Sequence, residues 1–304
     1  MANEVLLAAI GDITLQESIN GTFLQMLADR NALPQHPALV YVGAINDTLS
    51  NVIKVPHLAL DGYTAAAAAA EASSIANTPW QDGSSLVTVT GQGKAIEASD
   101  IARMINGKVL NPQAFAQDAY MAHMLRMTDI IANIIDGFTA TVGSTGVDLD
   151  LTVIMAALGS AVVNNVNGPF LGMLHGQQWA DLMTDAALVA GGALQWQPAT
   201  AELAVLRGSG YKGNYLGVDW FQSNRVVTAN GGADRAGAIW GPGAVLWADG
   251  QPPLDDPSRQ MLIGGKVLFE NVRDGRARTS SFVSSSYLGA SIGLQAGCSI
   301  ITDA

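Results

Sequence analysis

Residues 111–137 read NPQAFAQDAYMAHMLRMTDIIANIIDG, and the class of the fold turns on them. Asn111 is a good N-cap, Pro112 suits the first helical position and Gly137 supplies a stop. Between them Phe115, Ala119, Ala122, Leu125, Ile130, Ile131, Ile134 and Ile135 recur mostly at three- and four-residue spacing. About 25 residues at 1.5 Å rise make a rod of roughly 37 Å. Such a rod is long for a globular core helix and suits a structural spine.

Upstream of the rod, Asn51–Leu60 and Ser85–Ile96 read as two strands. The stretch between them, Asp61–Ser84, is rich in alanine, serine and glycine, with six alanines at 65–70. The pair predicts a long hairpin whose tip is too weakly apolar to own a core. Residues 1–34 are expected to form a short helix or an arm that packs on something else. Downstream, helices are expected over Asp150–Val163 and Gln177–Ala187, with a buried strand at Phe170–Leu174 between them. Beyond Gly191 the pattern turns to strands: Asn214–Phe221, Arg225–Thr228, Ala236–Trp240, Ala244–Ala248, Met261–Glu270, Thr279–Ser286, Ala290–Leu294 and Cys298–Thr302. Gln251–Pro257 is a proline-rich loop. Helices in the middle and strands at both ends make the class α+β.

Composition narrows the function. Of 304 residues, 49% are hydrophobic and only 13% charged, against an ordinary charged share of about 25%. That balance excludes intrinsic disorder. It also leaves few charges to coat a free monomer, so a subunit that hides surface against copies of itself is the first inference. Net charge is -11, which excludes a nucleic-acid clamp for the chain as a whole. The basic residues are local: 207–278 holds 9 basic against 7 acidic residues, with Arg273, Arg276 and Arg278 the densest part. That cluster reads as a solvated loop making salt bridges. The single cysteine, Cys298, excludes a disulfide framework and reads as a small buried hydrophobe. No signal-peptide pattern opens the sequence, and the apolar run Leu151–Val163 falls short of the about 20 residues that span a bilayer. A soluble protein made in a cytoplasm is expected.

Catalytic patterns are weak. Gly289-Ala290-Ser291-Ile292-Gly293 matches the Gly-x-Ser-x-Gly string of a hydrolase elbow. That elbow needs a helix after the serine and an acid and histidine beyond it. Here the one later acid is Asp303 and the last histidine is His175. Ser291 is therefore expected to be a strand serine between packing glycines. His36, His57, His123 and His175 are spaced for no metal helix and read as structural or surface residues. Gly91-Gln92-Gly93-Lys94 lacks the phosphate-loop spacing. Asp148 with Asp150 and Asp255 with Asp256 read as a helix cap and a solvated loop. No catalytic, cofactor-binding or metal-ligating residue is assigned, and no enzyme is expected.

The order of parts carries a resemblance: an arm, a long hairpin, a spine helix, an α/β middle and a strand-rich return. Local strings share it. They are Gly210-Tyr211-Lys212-Gly213-Asn214-Tyr215-Leu216-Gly217-Val218 with Ser223-Asn224-Arg225-Val226, then Ala236-Gly237-Ala238-Ile239-Trp240 and Gly243-Ala244-Val245-Leu246-Trp247-Ala248, then Phe269-Glu270-Asn271-Val272-Arg273-Asp274. Together they resemble the major capsid proteins of tailed double-stranded DNA bacteriophages, the Hong Kong 97-type fold.

The resemblance implies an N-arm at 1–34, an extended E-loop at 51–98 and an axial domain at 147–264. It implies a peripheral domain built from 35–50, 99–146 and 265–304, with a spine helix at about 111–138. Copies would form pentamers and hexamers that close an icosahedral head around double-stranded DNA, touched non-specifically on the inner face. Portal and scaffolding proteins, and a decoration or cement protein, would be further partners, and the virion the location. In some relatives a hairpin lysine bonds covalently to a neighbour's asparagine. Lys54 and Lys94 lie on the presumed hairpin, but the sequence itself shows no such chemistry. The alternatives are an encapsulin-like compartment shell of the same fold and, in another class, a serine hydrolase using Ser291.

Overall fold

The computed structural model describes residues 36–45, 50–58, 82–100, 112–163, 168–188, 197–200, 210–254, 260–263 and 267–303. The presumed arm at 1–34, the alanine run, the Asn111 cap and the Asp255–Asp256 pair lie outside these residues.

The chain opens with strands β1 (Leu39–Ala44), β2 (Val52–Leu58), β3 (Asp82–Thr88) and β4 (Thr90–Ser99). Helix α1 (Pro112–Ile135) follows, then β5 (Ala140–Val142), α2 (Leu151–Val163), β6 (Phe170–Leu174) and α3 (Gly176–Leu188). Next come β7 (Gln197–Pro198), β8 (Tyr211–Tyr215), β9 (Val218–Gln222), β10 (Thr228–Ala229) and β11 (Asp234–Trp240). The rest is strand: β12 (Val245–Gly250), β13 (Gln260–Ile263), β14 (Val267–Asp274), β15 (Thr279–Ile292) and β16 (Gly297–Asp303). The mixed α+β class predicted from the pattern is the class observed.

One sheet runs β1-β12-β15-β14-β13, with β4 on β15 as well. Its organiser is β15, at 14 residues the longest strand. Residues 279–286 pair with β14 and 287–292 with β12, while 279–288 pair with β4. Since β4 and β14 share the stretch 279–286, they must hold opposite edges. A second sheet runs β5-β16-β11-β6-β9-β8-β7, with β10 on β11. The β6–β9 and β5–β16 pairs are parallel and most others antiparallel. All five residues of β6 are buried, as its unbroken apolar run predicts.

Helix α1 joins these layers. Ala119, Met127, Ile131, Ala132 and Ile135 are buried on it. Positions 119, 123, 127, 131 and 135 form one row at four-residue spacing, the ridge that helices pack with. Its lower half enters the main core with Phe138, Leu149, Ile154, Trp220 and Trp240. The helix ends where Gly137 N–H turns back to the Ile134 carbonyl (2.9 Å). The Ser299 hydroxyl donates to the Ile135 carbonyl at 2.6 Å, satisfying one of the acceptors left open at a helix end.

Five sequence expectations need correction. Ser85–Ile96 is not one strand: Val89 breaks it, buried, with its N–H on the Asn51 carbonyl (2.9 Å), so β3 pairs with β2 and β4 with β15. Asn214–Phe221 is not one strand either. Leu216 and Gly217 both take positive φ (56° and 77°), the two-residue turn that matches strand twist, and the segment folds back as the β8–β9 hairpin. Arg225–Thr228 is a turn that reaches strand only at Thr228, and Met261–Glu270 divides into the antiparallel strands β13 and β14. Conversely, Thr279–Ser286 and Ala290–Ile292 fuse into the single β15, which ends before Leu294.

Candidate intersubunit surfaces

Strands β2 and β3 form a two-stranded sheet that joins neither of the larger ones. The register sets Lys54 opposite Leu86, Pro56 opposite Ser84 and Ile53 opposite Val87. Opposed residues in an antiparallel pair share a face. Ile53, Val55 and Val87 therefore turn inward, where Val87 and Val89 pack with Leu246, Ala248, Val40 and Tyr287. Lys54, Pro56, Ser84, Leu86 and Thr88 are exposed on the outer face. Leu86, at 57% exposure, is the barest large apolar side chain among the described residues. An isolated two-stranded ribbon is marginal in water. This one is held at its base by that packing, and its outer face sets the apolar Leu86 and Pro56 among the polar Lys54, Ser84 and Thr88.

A second bare surface lies on α2. The helix carries no charged residue, and Met155, Ala156, Gly159 and Val162 are exposed along one side. Asp150 caps it, accepting the Val153 N–H at 2.8 Å, as its sequence position predicts. Val147, just before the helix, is half exposed.

The arginine-rich stretch is the β14–β15 turn. Arg273 makes a two-pronged contact with Asp100 (3.1 and 2.8 Å), and Asp274 accepts the backbone N–H groups of Arg276 and Ala277. Arg276 and Arg278 are exposed. A solvated, salt-bridged turn is what the sequence predicts, and this turn has that form. Lys94, on β4, pairs with Asp118 of α1 at 2.5 Å; Lys54 stands exposed on the ribbon.

The chemistry that the sequence raised as an alternative is not assembled. Ser291 lies within β15, opposite Leu246, not on a strand-to-helix elbow. Its hydroxyl is buried and hydrogen-bonds to nothing. The flanking glycines are there for packing. A Cβ on Gly289 would lie 2.1 Å from the Thr88 carbonyl oxygen, and one on Gly293 would lie 2.3 Å from that of Gly243. Ser291 thus lacks the strand-to-helix setting that a hydrolase elbow needs.

The histidines with described side chains are pins. His36 Nδ1 accepts the Ala38 N–H (3.2 Å) while Nε2 meets Asp219 at 3.1 Å, and Asp219 also accepts from Tyr211 and Asn214. His175 caps α3, accepting the Gln177 N–H on Nδ1 (3.3 Å); burial, then the charge of Arg235, lowers its pKa. His123 sits buried between α1 and β15, with Ser284 at 3.2 Å and Ser286 at 2.9 Å. Cys298 is a buried free thiol, pushed up to about 11 by burial. Among the described residues no group of three or more histidine, cysteine or carboxylate side chains is placed to hold a metal ion, and no helix is long and apolar enough to cross a membrane.

No protein-family profile and no curated protein sequence matches the chain. Solved structures do. The capsid asymmetric unit of cyanophage Pam1 superposes with TM-score 0.59 at 13% identity, over 88% of this chain and 91% of that one. Mycobacterium phage Che8 superposes with TM-score 0.55 at 14% identity, over 83% and 84%. A holo-encapsulin complex from Synechococcus elongatus gives TM-score 0.55 at 11% identity, over 98% and 91%. The fold is that of shell-forming proteins. Within that class it is the Hong Kong 97-like fold of phage capsids, which encapsulins share.

Proposed function

We propose that the chain is the major capsid protein of a tailed phage, assembling as pentamers and hexamers into an icosahedral head around double-stranded DNA. The observation that carries this reading is the correspondence of fold to phage capsid chains across nearly the full length of both partners. The ribbon β2–β3 serves as the E-loop (51–98) that reaches onto a neighbour, and residues 1–34 as the N-arm. Helix α1 is the spine of a peripheral domain (35–50, 99–146, 265–304), and 147–264 is the axial domain that meets its copies at the capsomer centre. Function is then mechanical, not catalytic. The low charge content supports it, because many weakly charged contacts closing by rotation sum over a shell. An acidic wall also suits a container from which DNA must move freely. Portal and scaffolding proteins are the expected partners, in a virion.

The encapsulin match, equal in TM-score to that with phage Che8, keeps a protein-cargo compartment as the second reading. Genome context separates the two: terminase and portal genes beside this one support the phage head, a peroxidase-like cargo gene the compartment. Negative-stain electron microscopy with light scattering, on the protein expressed alone in bacteria and with its candidate scaffold, tests both. Closed shells, tubes or capsomer rings are expected. A monodisperse monomer at high concentration under both conditions would overturn the shell reading.

A further inference from the structure

We propose that His123 is a proton-sensitive pin that fastens α1 to the β4–β15 ribbon and releases it when the ring is protonated. His123 occupies the buried row of α1, in line with Ala119, Met127 and Ile131, where every other described member is apolar. Its partners fix its chemistry. The Ser284 hydroxyl donates to the Lys94 carbonyl (3.3 Å), which leaves the Ser284 oxygen to accept from His123 Nε2–H (3.2 Å). The Ser286 hydroxyl then donates to Nδ1 at 2.9 Å. The tautomer follows from this network: a neutral ring with its proton on Nε2 satisfies every group.

A second proton disturbs that arrangement. It makes Nδ1 a donor, so the Ser286 hydroxyl must turn to accept and direct its own proton elsewhere, and it puts a positive charge into a slot where the residue is 8% exposed. The surrounding groups do not compensate. From β4 comes the Lys94 ammonium, itself paired with Asp118 of α1, and Gln92, which accepts from Arg126 at 2.6 Å. The next carboxylate along α1, Asp129, faces Arg225 at 3.6 Å. On β15 the facing groups are the two serines, and β14 sets Phe269 beside Ser284 and Val267 beside Ser286. Burial first, and the charge of Lys94 second, therefore hold His123 below the ordinary histidine range.

The sign follows from linkage. A histidine whose pKa is lowered by folding contributes its full stabilisation above about pH 6.5 and loses it as pH falls toward the lowered value. In that window the opening equilibrium of α1 rises by up to about tenfold per pH unit. The inference rests on the packing of this chain and holds whether or not the chain forms shells.

Hydrogen–deuterium exchange of the full chain, read by mass spectrometry from about pH 4 to about pH 8, tests it. Exchange at the imidazole C2–H gives the His123 midpoint, and amide exchange over 112–135, corrected for intrinsic rate, gives the opening of α1. The expected result is a His123 midpoint below about 6.5 and an α1 that opens in the same interval while α2, which carries no titratable side chain, stays protected. In His123→Gln, which is neutral at every pH, that pH dependence is expected to vanish. A midpoint at or above the ordinary value, unchanged α1 protection across the titration, or joint loss of α1 and α2 would overturn the proposal. The wild-type measurement decides it alone should the variant fail to fold.

Discussion

At Gly289 and Gly293 the space for a side chain is already filled by the carbonyls of Thr88 and Gly243. Adding atoms there forces strands apart, and overpacking of this kind costs about 1–3 kcal/mol and sometimes more. Gly289→Val is expected to lower stability by about 3 kcal/mol, read from the midpoint of urea denaturation; an unmoved midpoint would contradict the contact. Ser291, between them, predicts the opposite. Its buried hydroxyl makes no hydrogen bond, a state that costs about 1–3 kcal/mol. Ser291→Ala should therefore melt at the same or a higher temperature, and any ester hydrolysis by the preparation should persist unchanged. Loss of hydrolysis on that substitution would reinstate the serine as a nucleophile.

Among the elements, α1 separates backbone from side-chain effects cleanly, because Leu125 is partly exposed at mid-helix. Leu125→Ala is expected to cost under about 1 kcal/mol, and Leu125→Pro about 3 kcal/mol or more, since proline removes a backbone donor and clashes with the preceding turn. Thermal unfolding followed by circular dichroism distinguishes them; equal effects would mean the helix does not continue through this position. Helices α1 to α3 and strand β6 were legible in the sequence because their signals are local: periodicity, a cap at Asp150, an unbroken apolar run. The β8–β9 turn was hidden because its first residue is Leu216, an uncommon occupant of positive φ. The gap at Val89 was hidden because its cause, the Asn51 carbonyl, lies far back in the chain. Strand β1 drew no prediction, its partner being the distant β12. The same limit governs the candidate surfaces. That the strands on either side of the alanine-rich stretch pair was readable, but register alone decides that Leu86 points out and Val87 in. The apolar run of α2 likewise did not say which side stays bare.

For the whole molecule, the outer face of the β2–β3 ribbon is the place to divide folding from assembly. Leu86→Glu removes an exposed apolar group, so the isolated subunit should keep its stability to within about 0.5 kcal/mol. Shell formation, measured by light scattering against protein concentration, should need roughly tenfold more protein, equivalent to about 1.4 kcal/mol per contact. Unchanged assembly would mean that this face touches no neighbour. The topology has a further consequence, for synthesis. Strand β15 brings together residues 90–99, 245–250 and 267–274, and β16 sits inside the second sheet between β5 and β11. Neither sheet can close until residues 279–303 have left the ribosome. Contacts of such high sequence separation fold slowly and leave strand edges open meanwhile. The nascent chain thus passes through a period in which the edges waiting for β15 and β16 are free to pair with the wrong molecule, and a chaperone that shelters them would set the yield of folded protein.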